Sequence, residues 1–255
     1  MRDAPRPWEP DPVSRQLLFT GFDGLPAEPD DVIADALDGG YVERTEGLVA
    51  LLRDENADPA GRFLACCALV SWADPTGYAA VVEAAAAPDD LTWRGQTYDR
   101  FNSQDDTFAH LAEAVGRSRD MAGERGTAAE RIGAARALIR IADRVQLDRR
   151  ANDLLYPEIV SACRDDLCAV VDRGITRLAA GDRPGFDLGV QLVLFICALA
   201  GSEPDRAAEA GRRLAAAHPG DRALRELAEA RGDSPFGRSR PEAGGAGAGC
   251  GGPRA

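Results

Sequence analysis

Two histidines, six cysteines and four adjacent aspartate pairs are the residues of this chain best equipped for chemistry. His110 stands just inside the helix expected after Asp105 and Asp106, and a carboxylate–histidine pair can do the acid–base work of a hydrolase-type enzyme. The bland use of the same residues is a helix cap and a hydrogen-bonded, partly buried histidine, and no catalytic residue is assigned. His218 falls at an expected helix C-terminus, where a cation suits the helix dipole. The pairs Asp30-Asp31, Asp89-Asp90, Asp105-Asp106 and Asp165-Asp166 mostly lie where helices should begin and read as caps. No metal site is expected. Cys163 and Cys168 are five apart without a local histidine, whereas structural zinc sites favour ligand gaps of about two to four residues. Cys66 and Cys67 are adjacent, so they point in different directions from one helix. Gly39-Gly40 lacks the lysine of a phosphate loop, and no G-x-S-x-G elbow occurs, so no cofactor is expected.

A different kind of site is suggested by residues 91–108, LTWRGQTYDRFNSQDDTF. This stretch contains no alanine in a chain that has 46. It carries Trp93, Tyr98, Phe101 and Phe108 together with Arg94, Arg100, Asn102, Gln104, Asp105 and Asp106. Aromatics and arginine among adaptable polar groups are the make-up of a protein-binding surface. The candidate contact residues are Trp93, Arg94, Tyr98, Arg100, Phe101, Asp105 and Asp106. The competing use is a long inter-helix loop whose aromatics pack onto the scaffold.

These residues must be held by helices. Alanine is the best helix former and is poor in strands, aromatics are only 6% of the chain, and period-two alternation is missing. All 30 basic residues are arginine, which fits the codon bias of a high-GC bacterial genome and is not evidence of phosphate binding. The net charge of −12 argues against a nucleic-acid partner. Charge is also uneven: residues 23–58 hold 11 acids and 2 arginines, whereas residues 115–150 hold 9 arginines and 5 acids. An acidic N-terminal third would steer a basic partner protein. The longest apolar run, residues 188–200, has 13 residues and includes Gln191, too short to span a bilayer. The opening MRDAPRPWEPDP has no apolar leader core, so a cytoplasmic setting is expected.

Punctuation divides the chain. Residues 1–14 read as an extended proline-rich arm, 15–231 as one helical repeat domain and 232–255 as a disordered glycine-rich tail. Helices are expected from Asp30 to Leu37, Val42 to Arg53, Pro59 to Trp72 and Pro75 to Ala87. A capping box at Thr127–Glu130 should open the next well-marked one. Further helices are expected at 158–179, 186–200, 204–217 and 221–230.

One pattern occurs twice. Arg62, Ala65, Ala68, Leu69 and Asp74 match Arg131, Ala134, Ala137, Leu138 and Asp143, 69 residues later. With Asp58-Pro59 opening the first copy and Asp74-Pro75 leading into a partner helix, this segment resembles the HEAT-like repeats of bacterial α-solenoids. Residues 204–230 look more like a tetratricopeptide-type hairpin. The resemblance implies an all-α solenoid of antiparallel helical hairpins, with a compact irregular helical bundle as the alternative. HEAT-like proteins include scaffolds, adaptors, inhibitors, immunity proteins and a DNA glycosylase group with a basic face, and acidity weighs against the last. The expectation is a non-enzymatic protein-binding module, an immunity or inhibitor protein or a scaffold engaging a basic partner.

Overall fold

Proline and aspartate decide where many of the helices start. The computed structural model describes residues 9–97 and 104–230. Within them lie α1 (Pro12–Leu18), α2 (Pro29–Asp35), α3 (Tyr41–Arg53), α4 (Pro59–Ser71), α5 (Pro75–Ala86), α6 (Thr107–Arg117) and α7 (Arg119–Glu124). They continue with α8 (Ala128–Ile141), α9 (Pro157–Ala162), α10 (Arg164–Ala179), α11 (Leu188–Ala200), α12 (Pro204–Ala216) and α13 (Asp221–Ala230). Two 3-10 segments cover Ala36–Asp38 and Asp148–Leu154. Among the described residues there is no strand, only an isolated bridge between Thr20 and Pro26. Six helices begin at proline, whose fixed φ and missing N–H suit the first helical position. Asp58 caps α4 by accepting from the Ala60 and Gly61 amides, and Asp74 caps α5 through the Thr76 amide.

Several boundaries differ from expectation. α1 begins within the segment read as an arm and runs beyond it, because Asp11 caps it through the Val13 and Ser14 amides. The helix expected from Asp30 starts at Pro29, and Gly39 ends the following 3-10 turn with φ of 111°. Thr127 does not form a capping box: its hydroxyl donates 3.0 Å to the Ala73 carbonyl. The helix expected over 158–179 breaks at Cys163 into α9 and α10. The arm residues 1–8 and the tail 232–255 lie outside the described residues.

Packing runs in two series. α4 touches α6, α6 touches the 148–154 segment, that segment touches α11, and α11 touches α13. In the other, α5 touches α8, α8 touches α10, and α10 touches α12. α3 packs on α4, and both α12 and α13 pack on α11. The core is mostly aliphatic and alanine, with Trp72, Tyr78, Phe108 and Phe195 as its largest fully buried side chains. Alanine and glycine let backbones come close. A Cβ on Gly77 would stand 2.7 Å from the Val70 amide, so α5 can lie on α4 only with glycine there.

The last carbonyls of a helix have no partner inside it. Here arginines from other elements supply them. Arg44 donates to Leu17 O on α1 (2.8 Å), Arg62 to Leu52 O on α3 (3.1 Å) and Arg125 to Trp72 O after α4 (2.5 Å). Arg131 donates to Val115 O on α6 (2.8 Å), Arg136 to Ala162 O on α9 (2.8 Å) and Arg173 to Arg140 O on α8 (2.6 Å). The two arginines of the repeated pattern thus do the same job, each through Nε on a carbonyl near the end of an earlier helix, α3 for Arg62 and α6 for Arg131. The pattern's aspartates also agree: Asp74 pairs with Arg125 and Asp143 with Arg173.

Their surroundings are unequal. Arg131 is 3% exposed, also pairs with Glu158 and lies over the Tyr156 ring, whereas Arg62 is half-buried and reaches Thr92. Arg131→Ala should therefore lower unfolding free energy by about 2–3 kcal/mol, because it leaves the buried Val115 carbonyl without its donor, while the partly exposed Glu158 keeps Arg119. Arg62→Ala should cost about 1 kcal/mol, the scale of one hydrogen bond. Urea unfolding of the two variants checks the ordering, and equal losses would show that burial does not set the worth of this arginine.

Candidate functional site

The predicted contact residues divide between core, loop base and cleft. Trp93 is 4% exposed and its ring centroid lies 6.0 Å from that of Phe63 on α4, so it belongs to the core. Arg94 is held inside its own loop, with Nε 2.7 Å from Asp105 and Nη1 2.6 Å from Asp89 and 3.0 Å from Pro88 O. Asp105 also accepts from the Thr107 amide and hydroxyl. Burial raises the Asp105 carboxyl, but Thr107 and Arg94 outweigh it and hold the group below the usual carboxylate range. Arg94 and Asp105 therefore tie the two ends of this segment together. Tyr98, Arg100 and Phe101 lie outside the described residues.

Asp106 turns the other way, toward His110. A cleft of about 380 Å³ opens between α2, α4 and α6, with Ile33, Phe63 and Leu64 as apolar walls. Its polar walls include Glu28, Asp30, His110, Glu113, Arg117 and Arg150. The His110 ring meets Phe63 edge-on at 6.1 Å. Its Nε2 lies 3.4 Å from Asp106 and its Nδ1 3.8 Å from Glu113. Arg150 donates to Glu113 at 2.7 Å and stands 3.6 Å from Asp106, and Arg117 also pairs with Glu113. Asp106 is 4% exposed, and its Oδ1 has no hydrogen-bond partner among the described residues.

Electrostatics in the cleft follow from burial. Desolvation, then the Arg150 charge, pushes His110 below its ordinary value against the pull of Asp106 and Glu113. Burial raises Asp153 behind the cleft, with Glu113 adding to it. Cys67 faces the cleft while Cys66 is buried in the core. Burial raises both thiols, Cys66 to about 12 and Cys67 well above its ordinary value, so neither offers a thiolate nucleophile at neutral pH. Among the described residues no cluster of three or more His, Cys, Asp or Glu could hold a metal ion, and no helix is long and apolar enough to cross a membrane.

Sequence reasoning found His110 and Asp106 but not Phe63, Glu113 or Arg150. Phe63 read only as core, and Arg150 arrives from 40 residues beyond His110. Glu113, one helical turn after His110, was the readable signal.

The fold defines an all-α protein with a half-apolar, charged cleft near its N-terminal helices. A scan of family models, a search of curated proteins and a search of solved structures each returned no match.

The histidine makes a pH prediction. Below about pH 6.5 the unfolded chain protonates this imidazole while the folded one, with its lowered pKa, resists. The unfolded state then binds more protons, so stability is lost as pH falls below that value. His110→Gln should shrink the drop in urea midpoint between about pH 7 and pH 5. An unchanged drop would assign it to other groups.

Proposed function

We propose that this chain is a HEAT-like α-solenoid that binds a basic partner protein without catalysing a reaction, as an immunity or inhibitor protein or a scaffold. One observation carries the reading. Among the described residues every ion pair is made by residues from Asp74 onward, and no carboxylate of residues 23–57 takes part in one. The negative charge of the N-terminal third is therefore left facing solvent, where it attracts a cationic surface. Glu28, Asp30, Asp31 and Asp35 are all exposed on or beside α2, and the first two line the cleft.

The solenoid reading is supported by the two packing series and by the matched work of Arg62 and Arg131. The contact surface is assigned to α2 and the cleft, with Gln96 and Thr97 of the aromatic-rich segment at its edge. Trp93 supports the wall from inside. A cytoplasmic setting agrees with cysteines that are free thiols at Cys66, Cys67, Cys163, Cys168 and Cys197.

A second reading, a hydrolase-type enzyme, is favoured by the approach of Asp106 to His110 in the cleft. Against it, both imidazole nitrogens face carboxylates, which leaves neither directed at a substrate, and Asp105 is engaged by Arg94.

The test combines Glu28→Gln, Asp30→Asn, Asp31→Asn and Asp35→Asn in one variant and compares it with the parent in capture from native cytoplasm. Circular dichroism checks that both are folded. The expected partner is a basic protein held by the parent, recovered at least about tenfold less by the variant and released by about 0.5 M salt. Equal recovery by both proteins, or capture indifferent to salt, contradicts the reading.

A further inference from the structure

Seven large apolar side chains stand exposed among the described residues, and four of them fall between residues 22 and 42: Phe22, Leu25, Leu37 and Val42. They belong to the loop between α1 and α2, the 3-10 turn Ala36–Asp38 and the start of α3. The loop is closed on itself. The Gly21 amide donates to Leu25 O (2.7 Å), the Gly24 amide to Gly21 O (3.1 Å) and the Ala27 amide to Phe19 O (3.1 Å). Asp23 Oδ1 accepts from the Leu25 amide, and Gly24 supplies the left-handed φ of 82° that the turn needs. Arg44 fastens the loop to α3. It donates to Leu17 O and to Gly21 O (3.2 Å), and its guanidinium lies 4.0 Å from the centre of the Phe22 ring.

The Phe22 ring also lies against Gly40, where a Cβ would stand 2.6 Å from its Cε1. Phe22 is thus held in place and still exposed. Leu37 and Val42 come three residues before and two after Gly40, so their backbones lie within about 10 Å of it. A fixed loop loses little conformational freedom when a partner covers it. Charge in these stretches is of one sign. Asp23, Asp35, Asp38 and Glu43 are exposed and enter no ion pair among the described residues. The one cation between residues 16 and 52 is Arg44, which the loop already engages. Exposed apolar side chains rimmed by polar ones mark a contact site. An anionic rim repels the headgroups of an acidic membrane and favours a polypeptide that carries cations beside aliphatic side chains.

We propose that this surface docks an amphipathic cationic segment of the partner protein. Aliphatic side chains of that segment cover Phe22, Leu25, Leu37 and Val42, and its lysines or arginines meet the carboxylates around them. The proposal rests on the reading of a basic partner. It adds that apolar contact beside α2, and not charge alone, selects that partner.

The experiment titrates the full chain into two labelled peptides of equal charge and follows fluorescence anisotropy at about 0.15 M salt. One peptide is built of lysine and leucine with amphipathic spacing, the other has serine for every leucine. The leucine peptide should bind at least about tenfold more tightly. Leu25→Ser combined with Val42→Ser should remove most of that difference and leave the serine peptide within about twofold of its affinity for the parent. These side chains are 62% and 67% exposed, so the urea midpoint should not move. Val82→Ser with Leu224→Ser, exposed positions on α5 and α13, should change neither affinity. Equal binding of the two peptides overturns the proposal and leaves the basic-partner reading standing. A leucine preference that survives Leu25→Ser with Val42→Ser, or that falls equally with Val82→Ser and Leu224→Ser, places the contact elsewhere and overturns it too. Binding of neither peptide, even at about 0.02 M salt, removes the basic-partner reading and the proposal with it.

Discussion

The interaction on which this architecture depends is the hydrogen bond from an arginine to the carbonyls at the end of a neighbouring helix. Short helices expose many chain ends, and each end buried against a neighbour needs its carbonyls satisfied. A core rich in alanine brings helix backbones close but offers little side-chain area. Long guanidinium groups span the remaining distance and cap the ends, with a favourable interaction with the helix dipole. Arg44, Arg62, Arg125, Arg131, Arg136 and Arg173 do this on six different helices. Gln191 and Thr127 extend the same device with an amide and a hydroxyl.

That use of arginine determines where charge is left over. Seven arginines between residues 115 and 150 form ion pairs: Arg117, Arg119, Arg125, Arg131, Arg136, Arg140 and Arg150. Their acidic partners, among them Asp74, Glu113, Glu158 and Asp166, come from outside that segment. The positive block in the sequence is therefore neutralised in the fold. Among the described residues the carboxylates of 23–57 enter no ion pair, and those on and beside α2 remain an exposed negative surface. The cleft beside it joins that surface to apolar side chains, and a long basic side chain with an apolar stem matches the combination.

Helix positions were largely readable, because their signals are local. Asp58-Pro59 and Asp74-Pro75 state cap and first turn outright, and α4 was recognisable as central from Phe63, Cys66 and Val70. Local signals also misled where a distant group competed for the same atoms. Thr127 had the form of a capping box, yet its hydroxyl is taken by Ala73 O, 54 residues away in sequence. Trp93 carried the composition of a contact residue, but whether an aromatic faces in or out depends on its neighbour, here Phe63 from 30 residues earlier. His110 and Asp106 were visible as a pair. The apolar floor and Arg150, which give the pair its cleft and its charge, arrive from other helices and left no local trace.

The most direct test of an uncompensated acidic surface is amide hydrogen exchange of the full chain, at low salt, with and without an oligo-arginine peptide. The account predicts added protection in α2, at the start of α4 and on the cleft side of α6, vanishing when salt is raised. Protection centred on α10 to α13, or none at low salt, would contradict it.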